Sequence, residues 1–244
     1  MKILVAKDYE EMSALAADMV KVLYSRKPDA RLGLATGSTP LGLYQELARR
    51  CANGKIDFSK GCSVNLDEYA GLSPDHPQSY RRFMDDNLFD HINMDKANTY
   101  VAQGVGDLEG NVCEFQKILD GRQTDLQVLG IGVDGHVGFN EPGSTLYGEA
   151  HLETLDESTI EANKRFFEKK EDVPRQAITM GLKNIMQAKK LVILVTGLNK
   201  TETVRQLIMT DEITTQNPVT LMRMHPDVTV ILDEELAAAV GYRG

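Results

Sequence analysis

Residues 126–132 form a mostly apolar stretch in the middle of the chain and read LQVLGIG. Six of these seven residues are hydrophobic or glycine. An apolar run without alternation is typical of a parallel strand buried on both faces, because a strand with one face in water alternates between apolar and polar residues. The stretch therefore predicts a strand inside a parallel sheet that is covered on both sides.

Other apolar segments predict five more strands, and amphipathic segments between them predict helices. The predicted strands are residues 2–6, 31–36, 62–66, 191–196 and 228–232. Strands and helices alternate throughout, and no repeat, low-complexity tract or linker divides the chain. This pattern predicts an α/β fold with a doubly wound, mostly parallel sheet and helices on both faces, formed by residues 1–244 as a single domain.

The chain carries 36 acidic and 27 basic residues, which gives a formal net charge of −9. A charge of this sign opposes nonspecific binding to nucleic acid and to anionic membranes. The sequence has no run of about 18 apolar residues, and its first strand continues into a charged helix rather than a signal-peptide core. We expect a cytoplasmic protein with neither nucleic acid nor membrane as a partner.

The three cysteines, Cys51, Cys62 and Cys113, lack CxxC spacing and a neighbouring histidine cluster. Their odd number and spacing argue against disulfide bonds and against a structural zinc site. We expect them to be free, buried thiols.

The apolar stretch leads into a glycine-rich loop, residues 132–142, which presents Asp134, His136 and Glu141. Open α/β sheets bind ligands beyond the carboxyl ends of their strands, and glycines allow such a loop to fold over a small molecule. Histidine titrates nearest neutrality and flanking carboxylates can hold its proton, so the three residues predict a proton-handling group. A glycine-rich turn with solvated acids is the alternative.

A second candidate loop follows the strand at residues 31–36 and reads TGSTP. Gly37 frees the backbone, Ser38 and Thr39 supply hydroxyl groups, and Pro40 suits the first turn of a helix whose N–H groups attract an anion. A phosphate site is one interpretation of this pattern, and an ordinary helix N-cap formed by Thr39 is the other. The GK[ST] ending of a Walker loop is absent.

Carboxylates also follow the strand at residues 62–66, where Asp67 and Glu68 are adjacent. Alternation along an extended chain places their side chains on opposite sides, so we expect one to reach a ligand and the other to be structural. Further along, Asn199 and Glu202 have capping-box spacing, which places Lys200 in the first turn of a helix. A cation there opposes the helix dipole unless an anion lies beside it.

Residues 158–170 form a polar segment dense in charge. A polar insertion beside an active site often serves as a lid that excludes water, and we expect such a lid within residues 145–180. A solvated helix is the alternative.

Five strings in the order LATGSTPLGLYQEL, NLDEYAGL, GIGVDGHVGFNEPGS, ANKRFF and TGLNK resemble the glucosamine-6-phosphate deaminase family. Several ordered motifs are far more specific than any one of them. The resemblance covers nearly the whole chain and implies a Rossmann-like sheet. It also implies conversion of glucosamine 6-phosphate and water to fructose 6-phosphate and ammonia, without a redox cofactor or a metal.

The resemblance also implies roles for individual residues. His136 matches the histidine that opens the sugar ring, with Asp134 and Glu141 orienting it and balancing its charge. Asp67 matches the base that takes the proton from C2, although an ordinary ionised aspartate is a weak base for a carbon acid. The residues expected to hold the 6-phosphate are Gly37, Ser38, Thr39, the lid arginine Arg165, and Lys200.

Three other functions are compatible with parts of the pattern. A 6-phosphogluconolactonase shares the fold and the sugar-phosphate loop, but lactone hydrolysis requires no carbon-acid base. An aldose–ketose isomerase would use the same proton transfer without releasing ammonia. A phosphosugar-sensing module of a transcription regulator would need a DNA-binding element, whereas this acidic chain starts directly with a strand.

One stretch departs from longer relatives, which are hexamers activated by N-acetylglucosamine 6-phosphate through basic residues after the NEP motif and a C-terminal extension. Here His151 and Glu153 align with the basic pair, and the chain stops at Gly244. A carboxylate repels a phosphate dianion, and an effector without a pocket cannot shift a conformational equilibrium. We expect hyperbolic kinetics without an activator, and a monomer or small homo-oligomer.

Overall fold

The computed structural model describes residues 1–243, apart from the side chains of Ser158 and Ala162. Its strands are β1 (Lys2–Ala6), β2 (Arg31–Leu34), β3 (Cys62–Asn65), β4 (Asp67–Tyr69), β5 (Thr99–Tyr100), β6 (Leu126–Leu129), β7 (His151–Thr154), β8 (Gln176–Thr179), β9 (Leu191–Val195) and β10 (Val228–Asp233). Seven of them form one sheet in the order β1-β10-β9-β6-β2-β3-β5, and every pairing in it is parallel. The apolar stretch that contains β6 lies at the centre of this sheet, as predicted.

The α-helices are α1 (Tyr9–Arg26), α2 (Leu41–Ala52), α3 (Tyr80–Asn87), α4 (Leu108–Gly121), α5 (Glu157–Asn163), α6 (Leu182–Met186), α7 (Thr201–Met209) and α8 (Glu234–Val240). Asp8 caps α1, because its side chain accepts a hydrogen bond from the Glu11 backbone N–H at 2.9 Å. Among the described residues, no helix combines the length and the apolar character that crossing a membrane requires.

Alternate residues of the central strands pack into two different hydrophobic cores. In β9, Leu191, Ile193 and Val195 join the core that includes side chains of α4, α7 and α8. Val192 and Leu194 point the other way and join the core formed with α1, α2 and α3. Each fully buried aliphatic side chain contributes about 1.5–3 kcal/mol, so both faces of the sheet stabilise the fold. The predicted doubly wound, mostly parallel α/β fold is confirmed.

A second, antiparallel sheet has the strand order β4-β8-β7. Only Leu66 separates β3 from β4, so the chain leaves the main sheet and pairs at once with β8. No sequence pattern indicates this sheet, because its short strands come from distant parts of the chain. It holds Asp67, the first residue of β4, beside the carboxyl end of β3.

The three cysteines are free thiols, as expected, but they are not buried. Cys113 is exposed on α4, and Cys51 and Cys62 are half-buried. Their predicted burial is wrong because Cys51 and Cys62 lie at an end of an element, where packing is incomplete, and Cys113 lies on the outer face of α4.

Candidate active site

A cavity of about 890 Å³ opens beyond the carboxyl ends of the adjacent strands β9, β6, β2 and β3. Residues that the sequence predicts as site residues line it: Gly37, Ser38, Thr39, Asp67, His136, Arg165 and Lys200. The other two predicted residues, Asp134 and Glu141, are not among the described residues that line this cavity, and they contact His136 from behind. Parallel sheets place ligands at this edge, so the cavity lies where the sequence predicts a site.

The loop after β2 presents the hydroxyl groups of Ser38 and Thr39 at the start of α2. Gly37 has φ of 98°, in the left-handed region that favours glycine. Pro40 occupies the N-cap position, and no side chain caps α2. The interpretation of Thr39 as an N-cap is therefore wrong, and its hydroxyl group is left for a ligand near N–H groups that attract anions.

Tyr9, which no sequence motif indicates, holds this loop against α1. Its hydroxyl group accepts a hydrogen bond from the Gly42 N–H at 2.7 Å and lies 3.1 Å from the carbonyl oxygens of Ser38 and Thr39. Tyr9 also lines the cavity. In the sequence it is only the first residue of an amphipathic helix, so its role could not be read from spacing.

Two cations, Lys200 and Arg165, lie near each other in the cavity wall. Burial, and then the charge of Arg165, lower the pKa of Lys200. In the described part of the chain neither side chain forms an ion pair, whereas Lys164 and Lys170 on either side of Arg165 both pair with Glu161. Two neighbouring unpaired cations are costly unless an anion joins them, so this wall suits a phosphate group.

The predicted helix cap beside Lys200 is wrong. A 3₁₀ turn, Leu198–Lys200, precedes α7, and Lys200 itself occupies the N-cap position without a side-chain capping hydrogen bond. Asn199 lines the cavity instead of capping α7. The tight turn at Gly197, with φ of 100°, redirects the chain before the helix begins.

Asp67 and Glu68 point in opposite directions, as alternation predicts. The Glu68 carboxylate is buried and accepts hydrogen bonds from the backbone N–H groups of Tyr69 at 2.8 Å and of Tyr80 and Arg81 at 2.9 Å. It thereby fixes the start of α3 to β4. Glu68 is the structural member of the pair, and Asp67 is the one that reaches the cavity.

The Asp67 side chain is buried in the cavity wall. Burial, together with the charge of Glu68, raises the pKa of Asp67 to about 7, although His136 acts in the opposite direction. A carboxylate with this pKa is a much stronger base than an ordinary aspartate. Burial therefore makes Asp67 a stronger base than an ordinary aspartate, and positioning and exclusion of water are still expected to supply driving force for removal of a carbon-bound proton.

The loop after β6 brings together Asp134, His136 and Glu141, as predicted. His136 Nδ1 lies 2.8 Å from Asp134 Oδ1 and 3.5 Å from Glu141 Oε2. A Cβ atom on Gly132 would lie 2.4 Å from the His136 ring, so only glycine allows this approach. Gly135 has φ of 90°, and this left-handed conformation turns the loop between Asp134 and His136.

The two carboxylates favour the protonated form of the histidine. Burial of the ring opposes a charge, but Asp134 and Glu141 outweigh it and raise the pKa of His136 to about 9. Burial likewise opposes the charge of Asp134, and His136 nevertheless lowers the pKa of that carboxyl group. The two carboxylates thus lie on the Nδ1 side of the ring, and His136 also lines the cavity.

The same three side chains could also share a cation, because a ligand atom of each lies within 4.8 Å of the others. One imidazole and two carboxylates are a donor set that Zn²⁺ and similar ions accept. The short contact of Nδ1 with Asp134 also suits a shared proton. The expectation that no metal takes part stays a prediction.

The chain is similar to known proteins in sequence and in structure. The chain is 50% identical over 242 residues to "Glucosamine-6-phosphate deaminase" of Thermoanaerobacter pseudethanolicus, covering 98% of this chain and 95% of that protein. It is 52% identical over 239 residues to the protein of the same name from Clostridium perfringens strain 13, covering 97% and 98%. The solved structure of a monomeric glucosamine-6-phosphate deaminase superposes with a TM-score of 0.94 at 41% identity and covers 98% of this chain and all of that one.

More distant structures share the architecture. A 6-phosphogluconolactonase from Thermotoga maritima superposes with a TM-score of 0.74 at 19% identity and covers 95% of this chain and 98% of that one, which shows a common fold. Residues 7–231 match the family model for glucosamine-6-phosphate isomerases/6-phosphogluconolactonase. With this match and relatives at about half identity over nearly its whole length, the chain belongs to the glucosamine-6-phosphate isomerase/6-phosphogluconolactonase family.

Proposed function

We propose that this protein is a glucosamine-6-phosphate deaminase, which converts glucosamine 6-phosphate and water to fructose 6-phosphate and ammonia. The observation that carries the proposal is the buried Asp67 carboxylate, which lines the same cavity as His136 and the unpaired cations Arg165 and Lys200. The relatives at about 50% identity bear the same enzyme name. No cofactor takes part in this reaction as proposed.

The first step is opening of the sugar ring by His136. The protonated imidazole gives a proton to the ring oxygen, and the nitrogen that gave it takes up the proton of the anomeric hydroxyl group, so the hemiacetal becomes an open-chain aldehyde and His136 returns to its starting state. Asp134 and Glu141 hold Nδ1 and balance the positive charge, which fixes the ring orientation while the other nitrogen exchanges protons.

Asp67 then moves the proton that the isomerisation requires. Its carboxylate takes the proton from C2, which leaves a double bond between C1 and C2 and a negative charge on O1. O1 takes a proton from the neighbouring ammonium group, and Asp67 then returns the C2 proton to C1 as the nitrogen lone pair forms the double bond to C2. The product is an imine at C2, to which water adds before ammonia leaves. A pKa of about 7 lets Asp67 be both base and acid near neutral pH.

The phosphate group of the substrate occupies the wall formed by the Ser38 and Thr39 hydroxyl groups, Arg165 and Lys200. Gly37 keeps the backbone of this loop in the left-handed conformation that exposes the N–H groups behind them. In this proposal the lid lies within residues 145–180. α5 and the 3₁₀ turn Lys164–Phe166 carry Arg165 to the cavity.

The proposal is distinguished from its alternatives by the products. A 6-phosphogluconolactonase needs no carbon-acid base, so it leaves the buried Asp67 unexplained, and its known structures resemble this chain in fold alone. Purified protein should release ammonia and fructose 6-phosphate in equal amounts from glucosamine 6-phosphate. Fructose 6-phosphate formation from glucose 6-phosphate without ammonia would indicate an isomerase, and hydrolysis of 6-phosphogluconolactone alone would indicate a lactonase.

Lys200→Ala should weaken the binding of phosphorylated ligands. Loss of a charge-assisted contact to phosphate costs about 1.5–3 kcal/mol, which is roughly a ten- to hundredfold loss of affinity. Titration calorimetry with fructose 6-phosphate measures this loss, and Lys21→Ala, an exposed lysine of α1, is the control. An affinity equal to that of the unmodified protein would show that Lys200 does not contact the phosphate.

Velocity should depend hyperbolically on glucosamine 6-phosphate concentration, and N-acetylglucosamine 6-phosphate should not change the curve. His151 Nε2 lies 3.0 Å from Glu153 Oε2, and the centroid of the His151 ring lies 4.7 Å from that of Tyr147. These side chains therefore contact one another instead of forming a basic pair that could bind the phosphate of an effector. The 41% identical deaminase structure is of a monomer, which supports a monomer or small homo-oligomer here. A sigmoidal curve that the acetylated sugar makes hyperbolic would contradict this prediction.

A further inference from the structure

Thr159 connects the proposed lid with the histidine site. It lies in α5 and is 4% exposed, and its hydroxyl group donates a hydrogen bond to Glu141 Oε1 at 2.6 Å. The two residues are 18 positions apart, so only the folded arrangement brings them together. A charge-assisted hydrogen bond of this length is among the stronger ones in proteins.

This hydrogen bond determines which oxygen of Glu141 faces His136. With Oε1 held by Thr159, Oε2 lies 3.5 Å from His136 Nδ1 and has no hydrogen-bond partner among the described residues. The two oxygens of a carboxylate are rigidly linked, so holding one sets the direction of the other. Glu141 lines a second, smaller cavity of about 260 Å³. Without the Thr159 hydroxyl group, the Glu141 carboxylate could turn toward that cavity.

The segment that carries Thr159 also carries a cation of the phosphate wall. Arg165 follows α5 directly, in the 3₁₀ turn Lys164–Phe166, and lines the main cavity together with Thr159 and Asn163. Ile160, next to Thr159, is 2% exposed and packs with Tyr69 and Phe139, which anchors α5 independently of the hydroxyl group. The segment that holds Thr159 against Glu141 therefore also carries a residue of the phosphate wall.

We propose that Thr159 is a positioning residue for ring opening, which sets the Glu141 carboxylate against His136 when the lid segment is seated. The inference rests on the proposed deaminase function and adds a residue to it. Thr159 does not touch the substrate's reacting atoms. It acts through Glu141 on His136, and it has no part in the proton transfer that Asp67 carries out at C2.

The test compares Thr159→Val, which keeps the shape but removes the hydroxyl group, with Thr159→Ser, which keeps the hydroxyl group. Each variant is assayed on glucosamine 6-phosphate and on an analogue without the 4- and 5-hydroxyl groups, which cannot close a ring. Thr159→Val should lower kcat on the cyclic sugar by roughly ten- to a hundredfold, the range for one hydrogen bond to a charged group. Its turnover of the open-chain analogue should equal that of the unmodified protein, and Thr159→Ser should recover most of the loss.

Equal losses on the two sugars would assign Thr159 to the stability of the lid and overturn the inference, as would an unchanged kcat on the cyclic sugar. If Thr159→Val does not fold, Thr159→Ala is assayed in the same way. A Glu141→Ala background gives a second measurement, because Thr159→Ala should have little further effect where the carboxylate is absent, and an undiminished effect would overturn the inference. Failure of the unmodified protein to release ammonia from either sugar would instead contradict the proposed function.

Discussion

Asp67→Asn should lower kcat by at least a thousandfold and leave the affinity for fructose 6-phosphate nearly unchanged. General acid–base catalysis by a positioned side chain contributes typically about 10²–10⁴-fold, and here one carboxylate carries the proton both from C2 and to C1. An amide cannot accept that proton, but it has nearly the same size, so the cavity keeps its shape. A group used mainly in the transition state affects kcat more than binding.

Proton exchange at C2 measures this step separately from ammonia release. In deuterated water the unmodified protein should exchange the proton, and Asp67→Asn should not. Asp120→Asn, at an exposed position of α4, is the control and should behave like the unmodified protein. Near-normal exchange in the Asp67 variant would mean that another group is the base.

The pH dependence of kcat/KM should be bell-shaped, with limbs that belong to Asp67 and His136. Asp67 must be deprotonated to act as the base, so activity rises with pH through its pKa of about 7. His136 must be protonated to open the ring, so activity is lost as pH rises through its pKa of about 9. Between these two values both groups are in the required state.

His136→Gln tests the assignment of the alkaline limb. The variant should lose about 10²–10⁴-fold in kcat on the cyclic sugar and should no longer show a decline caused by His136 at high pH. The ionisable groups of the substrate titrate in the same way with the unmodified protein and with the variant, so their effect on the two pH profiles cancels in the comparison. The loss should be much smaller on the analogue that cannot close a ring, and an equal loss on both sugars would disprove the ring-opening role.

Glu68, the carboxylate next to Asp67, contributes to the raised pKa of Asp67. Glu68 is tied to the backbone N–H groups at the start of α3, and its charge adds to the burial of Asp67. The structural carboxylate therefore strengthens the base beside it. The catalytic role of Asp67 stays a prediction, which the exchange experiment tests.

The sequence by itself determined six of the seven strands of the main sheet and the seven candidate site residues that line its cavity. Continuous apolar runs such as residues 126–132 indicate strands buried on both faces, and parallel strands must end at a common edge, so Gly37, Asp67 and His136 had to meet there. The proximity of Asp134 and Glu141 to His136 also follows from their short spacing in a glycine loop.

Only the tertiary structure decided the features that depend on distant segments or on burial. The small sheet β4-β8-β7, the contact of Tyr9 with the Thr39 loop and the hydrogen bond from Thr159 to Glu141 all join residues far apart in the chain. The cap expected from Asn199, and the alternative interpretation of Thr39 as a cap, failed because local spacing cannot show where a helix begins when a tight turn precedes it. The raised pKa of Asp67 likewise could not be predicted from the sequence. Its main cause is the loss of water around the carboxyl group, and that loss exists only once the strands, the lid and α3 are packed together.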